Sequence, residues 1–82
     1  DVLRFAVRNP YEGGVLNYQI SSMKNQEKKI KGLPKLDLRN GLNQYDIDLR
    51  EYGSIHGGEE YLLTVTLKNG KKHFLRFIFN NH

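Results

Sequence analysis

The sequence predicts an all-β domain, a sandwich or barrel of six or seven short antiparallel strands, on three observations. Apolar and polar residues alternate with period two in run after run. Turn-forming residues recur between the runs. No stretch carries the apolar stripe of a buried helix. At 82 residues the chain makes one domain, residues 1–82, near the lower end of what folds on a hydrophobic core alone. Apolar residues are 38% of it, so the Tyr and Phe side chains must supply much of the buried area.

In the first strand Leu3, Phe5 and Val7 alternate with Arg4, Ala6 and Arg8. Asn9-Pro10 ends it, because proline fixes φ and has no N–H for a ladder. After Glu12-Gly13-Gly14, the residues Leu16, Tyr18 and Ile20 alternate with Asn17 and Gln19 in a second strand. Between Ser21 and Lys31 the Lys, Gln and Glu residues favour helix, yet only Met23 and Ile30 are apolar. That is too little for a buried stripe, so the stretch reads as a polar turn around Lys24-Asn25-Gln26 followed by a short strand through Ile30. Gly32-Leu33-Pro34 breaks the chain before the alternation of Leu36 and Leu38, and Asn40-Gly41 signals a turn. Tyr45, Ile47 and Leu49 then alternate with Asp46 and Asp48. A loop holding Gly53, Gly57 and Gly58 leads to the last two strands, Glu60 to Lys68 and Lys71 to Phe79.

The register of that last pair follows from what it would bury. A two-residue turn at Asn69-Gly70 sets Tyr61, Leu63, Val65 and Leu67 on one face with Lys72, Phe74, Arg76 and Ile78, and so buries two cations at heavy desolvation cost. A type I turn closed by a G1 bulge, with Gly70 left-handed, slips the register by one residue. The same four residues then share a face with His73, Leu75, Phe77 and Phe79. The expected outer face carries Leu62, Thr64, Thr66, Phe74, Arg76 and Ile78, where three large apolar groups need a partner or a covering loop.

Catalytic and metal chemistry find no pattern here. With no Cys there is no disulfide frame, thiolate or zinc ribbon. His56, His73 and His82 lack ligand spacing and read as ordinary surface or strand residues. Asp46 and Asp48 share a strand face and Glu59 and Glu60 sit before the next strand. Without a calcium-loop motif or a cleft for acid–base work they read as solvated carboxylates. Ser21-Ser22 has no nucleophile elbow, and Gly57-Gly58 is not followed by a phosphate-cradling helix. The expectation is a non-enzyme with no catalytic, cofactor-binding or metal-binding residues.

Lys+Arg 13 against Asp+Glu 9 gives a net charge of +4. Lys24, Lys28, Lys29, Lys31 and Lys35 form one basic group, and Lys68, Lys71 and Lys72 another. With aromatic platforms these would suit single-stranded nucleic acid on a β-barrel. Most aromatics fall on the expected core face instead, and a Lys-rich turn is more often a solubilising guard for strand edges. No apolar run approaches membrane-spanning length, so no membrane insertion is expected. Because residue 1 is Asp1 rather than Met, the chain reads as a segment cut from a larger protein.

Several of these pieces carry a resemblance. Tyr61 opens a long strand after a Gly-containing corner, as the tyrosine-corner residue does in bacterial immunoglobulin-like and fibronectin III-like domains. More narrowly, three pieces resemble the C-terminal sorting domains of the Bacteroidetes type IX secretion system. They are Asn9-Pro10 after a first strand, the Asp46-Ile47-Asp48-Leu49 strand, and Gly58 to Tyr61 running through Asn69-Gly70-Lys71 to Arg76-Phe77-Ile78-Phe79. The chain departs from that pattern after the second strand, where Lys24-Asn25-Gln26-Glu27 replaces a Gly-Lys turn. The Gly-Glu-Glu-Tyr-Leu-Leu stretch resembles equally the immunoglobulin-like accessory domains of bacterial multidomain glycosidases.

The resemblance implies an immunoglobulin-like sandwich, the C-terminal part of a larger protein that is secreted or on the cell surface, serving as a non-catalytic C-terminal recognition domain for secretion and attachment. The expected partner is a protein, either secretion machinery or a neighbouring domain. The residues expected to meet it are Leu62, Phe74, Arg76 and Ile78. The alternatives are a structural spacer of a glycosidase or adhesin, and a nucleic-acid-binding β-barrel.

Overall fold

A computed structural model describes residues 2–25, 27–52, 55 and 57–79. Strands β1 (Val2–Asn9), β2 (Gly14–Val15), β3 (Asn17–Ser22), β4 (Asp37–Leu38), β5 (Gly41–Asp48), β6 (Glu60–Thr66) and β7 (Lys72–Ile78) follow in order, with one 3-10 turn at Leu49–Glu51. The described residues are mostly β with almost no helix, as in an all-β domain, and every strand pairing among them is antiparallel. β1 pairs with β5, β2 with β4, and β6 lies between β3 and β7.

Alternation fixes which side of each strand is buried. In β1, Leu3 and Val7 are buried while Arg4, Ala6 and Arg8 are exposed, and the partners of Leu3 and Val7 on β5, Ile47 and Asn43, are buried too. In the three-stranded sheet Ile20, Leu63 and Val65 are buried. The β1–β5 and β3–β6–β7 sheets feed one apolar cluster, which Leu16, Ile30, Leu49, Ile55, Tyr61, Leu67 and Phe79 complete. Tyr61 lies 5.9 Å centroid to centroid from Phe77, its cross-strand neighbour, so the one inward aromatic pair of the hairpin belongs to the core.

No helix forms between Ser21 and Lys31 among the described residues; Gln26 lies outside them. Ser22 N–H donates to Lys28 O, Ile30 N–H donates to Ile20 O, and Ser21 bridges Lys29. The turn-plus-short-strand reading therefore describes this stretch. Its lysines sit exposed along the outer edge of β3, where charge discourages edge-to-edge pairing.

Two buried asparagines hold the end of the fold where the β1–β2 and β4–β5 connections meet. Asn9 is 1% exposed and donates from Nδ2 to Tyr11 O, Glu12 O and Arg39 O. Asn43 donates to Val7 O, Arg39 O and Gly41 O, and its Oδ1 accepts from Arg39 N–H at 2.8 Å. Each amide is hydrogen-bonded on both its nitrogen and its oxygen to backbone groups of the strand ends and loops, which is what makes its burial tolerable. Nearby, a Cβ added at Gly13 would stand 2.7 Å from Leu38 O. Gly13→Ala must push the β2–β4 pairing apart. We expect a loss of about 1–3 kcal/mol, the overpacking range, read by urea unfolding.

The hairpin takes the slipped register: Tyr61 faces Phe77, Leu63 faces Leu75 and Val65 faces His73. Leu67 N–H donates to Lys71 O, Gly70 N–H donates to Leu67 O, and Gly70 has φ of 85°. This is a type I turn with a left-handed glycine, the geometry that keeps Lys72 and Arg76 out of the core. Two depths differ from the expected pattern. Leu75 faces inward yet is 43% exposed, because β7 is an edge strand and the core ends beside it. Thr64 faces outward yet is buried, flanked across the sheet by the larger Gln19 and Phe74.

Candidate protein-docking surface on the terminal hairpin

On β7 the side chains of Phe74, Arg76 and Ile78 recur at every second residue and so project from one face. Leu62 of β6 stands directly opposite Arg76. The structure thus brings together the four residues singled out from the sequence. Phe74 is 63% exposed and Ile78 56% exposed, Arg76 is exposed, and Leu62 is half-buried. Lys72 extends the row toward the hairpin tip, and Glu60, opposite Ile78, is the nearest acid along it. The result is a narrow apolar strip with cationic punctuation on the outermost strand.

Three of the four carboxylates considered as ligands, Asp46, Asp48 and Glu59, are engaged otherwise. Asp46 pairs with Arg4 across the β1–β5 ladder at 3.3 Å. Asp48 caps the 3-10 turn, accepting from Arg50 N–H at 3.1 Å and from the Arg50 guanidinium at 3.0 and 2.9 Å. Those side-chain bonds, then the backbone bond, lower its pKa from 3.8 to about 2. A depressed carboxyl contributes its full share above the ordinary value and loses it as pH falls through the folded one. NMR titration is therefore expected to give Asp48 a midpoint near 2, rising toward the ordinary carboxylate value in Arg50→Ala.

Glu59 accepts a hydrogen bond from the Tyr61 hydroxyl. Ser21 and Ser22 are buried in β3, where the Ser22 hydroxyl accepts from Lys24 N–H. Gly58 N–H donates to Phe79 O, which ties the loop to the strand end. Burial raises the Tyr18 and Tyr45 hydroxyls above their usual value, with Tyr52 and Asp37 adding to the two shifts respectively. Both hydroxyls donate to backbone carbonyls, of Pro34 and Asp37. His73 is exposed on β7, while His56 and His82 lie outside the described residues. Among the described residues no group of three or more His, Cys, Asp or Glu comes together. No helix there is long and apolar enough to cross a membrane.

Sequence reasoning missed a cleft of about 500 Å³ between β1 and β7, lined by Phe5, Val7, Leu63, Val65 and Leu75 with Arg4, Arg8 and His73 among the flanking residues. Period-two patterning assigns a side chain to a face but cannot say whether another strand lies over it. Fold and surface together define an all-β domain of antiparallel sheets with an apolar edge strand. Comparison with protein-family models, curated proteins and solved structures found no match to this chain.

Proposed function

We propose that this domain is a non-catalytic protein-recognition module of immunoglobulin-like sandwich type, read by its partner through the outer face of β7. The observation that carries the reading is the exposure of Phe74 and Ile78 on one strip of an edge strand. Two large apolar side chains held in water on a regular strand do nothing for the fold, whereas burial against a partner gives each about 1.5–3 kcal/mol. Arg76 between them supplies the charge that sets register against a partner surface. Its resemblance to the type IX sorting domains makes secretion and cell-surface attachment the particular form of recognition we propose.

The test fuses residues 1–82 to the C-terminus of a reporter that carries an export signal, in a host with a type IX system. Attachment of the reporter to the cell surface is expected, with loss of attachment in the Phe74→Ser/Ile78→Ser variant. A reporter that stays attached with both substitutions removes the strip from recognition. A reporter exported but never attached, with or without them, favours a spacer packed against a neighbouring domain.

A further inference from the structure

We propose that the cleft between β1 and β7 accepts an extended acidic peptide strand from a partner protein, adding a strand between the two sheets. The inference rests on the recognition-module reading and shares Phe74, Arg76 and Ile78 at the cleft rim with the outer strip, so its test turns on Arg8 and on the backbone edges, which the strip does not use.

Three observations converge on it. First, β1 pairs only with β5 and β7 only with β6, so among the described residues each presents one row of backbone N–H and C=O groups without a strand partner. Unpaired edges are templates for another strand, and here two of them border the same cleft. Second, the floor is apolar. Val7, Leu63 and Val65 line it, and Leu75, 43% exposed, continues it into a second cleft of about 560 Å³ that reaches Phe77 and Phe79. A strand laid along it would place alternate side chains inward over this floor and the others toward water.

Third, the lining is cationic and carries no acid. Arg4, Arg8 and Arg76 are present, and neither Asp nor Glu lines either cleft. Arg4 is already paired with Asp46, but Arg8 and Arg76 have no carboxylate within ion-pair distance among the described residues. Charge complementarity therefore selects a strand that alternates apolar with acidic residues. A second copy of this chain, at net charge +4, would bring like charge to the cleft. A nucleic acid would satisfy the arginines but has no backbone amides for the two strand edges and no aliphatic groups for the floor. Strands of seven and eight residues border the cleft, so a guest of about seven residues, roughly 23 Å long, fills it.

The probe is an acetylated, amidated heptapeptide alternating Glu and Val, titrated into the ¹⁵N-labelled domain at low salt. Binding is expected at least tenfold tighter than for the matching Lys and Val peptide. Shifts should be largest in β1 and β7 and reach Leu63 and Val65 of the floor, and alternate amides of the two edge strands should exchange more slowly. Arg8→Glu, at an exposed site, is expected to weaken binding at least fivefold with the fold unchanged. Replacing the central Val of the peptide with Pro should abolish the amide protection. No binding of the Glu and Val peptide up to millimolar concentration overturns the proposal. So does equal binding of the Pro-containing peptide, which would mean charge attraction alone, or tighter binding of an oligothymidine to the same residues. Arg8 lies off the outer strip, so peptide binding lost in Arg8→Glu with surface attachment kept would separate the cleft from the strip.

Discussion

Asn43→Asp is expected to cost about 3–5 kcal/mol of folding stability at neutral pH, the range for stranding a charge inside a protein. The change is nearly isosteric, so packing does not explain the loss. Asn43 is 6% exposed, and its Nδ2 donates to the carbonyl oxygens of Val7, Arg39 and Gly41 at 3.3, 2.9 and 3.1 Å. A carboxylate keeps the acceptor for Arg39 N–H but turns a negative oxygen toward three carbonyls that have lost their donor. Burial and those carbonyls raise the carboxyl's pKa in the folded state. The deficit should therefore shrink as pH falls and the protonated oxygen becomes a donor. Urea unfolding at pH 7 and pH 4 reads both effects. A loss under about 1 kcal/mol at pH 7 would mean that the asparagine does not hold the loops together.

Leu63→Ala is expected to cost about 2–5 kcal/mol, while Leu75→Ala costs less than about 1 kcal/mol. The two leucines face each other across β6 and β7 on the same side of the sheet. Leu63 is 2% exposed on the central strand, with Ile20 on its other flank, so truncation leaves a cavity that neighbours on both sides must fill. Leu75 is 43% exposed at the edge, where water takes the vacated space. Chemical denaturation of the two variants side by side checks the contrast. Equal losses would mean that β7 is buried as deeply as β6 and that the β1–β7 cleft is closed in solution.

These leucines mark how far the sequence could be read. The side of the sheet was legible, because period-two alternation and the cost of burying Lys72 and Arg76 leave a single register for the hairpin. The absence of a helix after Ser21 was legible for a similar reason: a helix there would have had only Met23 and Ile30 to bury. Depth was not legible. Alternation places Leu63 and Leu75 on one face without saying that the core stops between them.

The asparagine pair was hidden by residue type. Asn9 reads as a strand terminator before Pro10, and Asn43 as one more polar residue after a turn. The available signal was positional: Asn9 continues the inward series Leu3, Phe5, Val7, and Asn43 heads the series with Tyr45 and Ile47. A polar residue in step with a core face is a candidate for buried backbone capping. The pairing of β2 with β4 depends on Gly13 and two-residue strands, too short for any periodicity to show.

Equilibrium unfolding of Phe74→Ser/Ile78→Ser tests most directly whether the outer strip of β7 is spare to the fold and therefore free for a partner. The double variant is expected to unfold cooperatively within about 0.5 kcal/mol per substitution of the parent chain, as surface changes do. A loss of more than about 4 kcal/mol, the sum for two buried side chains, would contradict it and return both residues to the core.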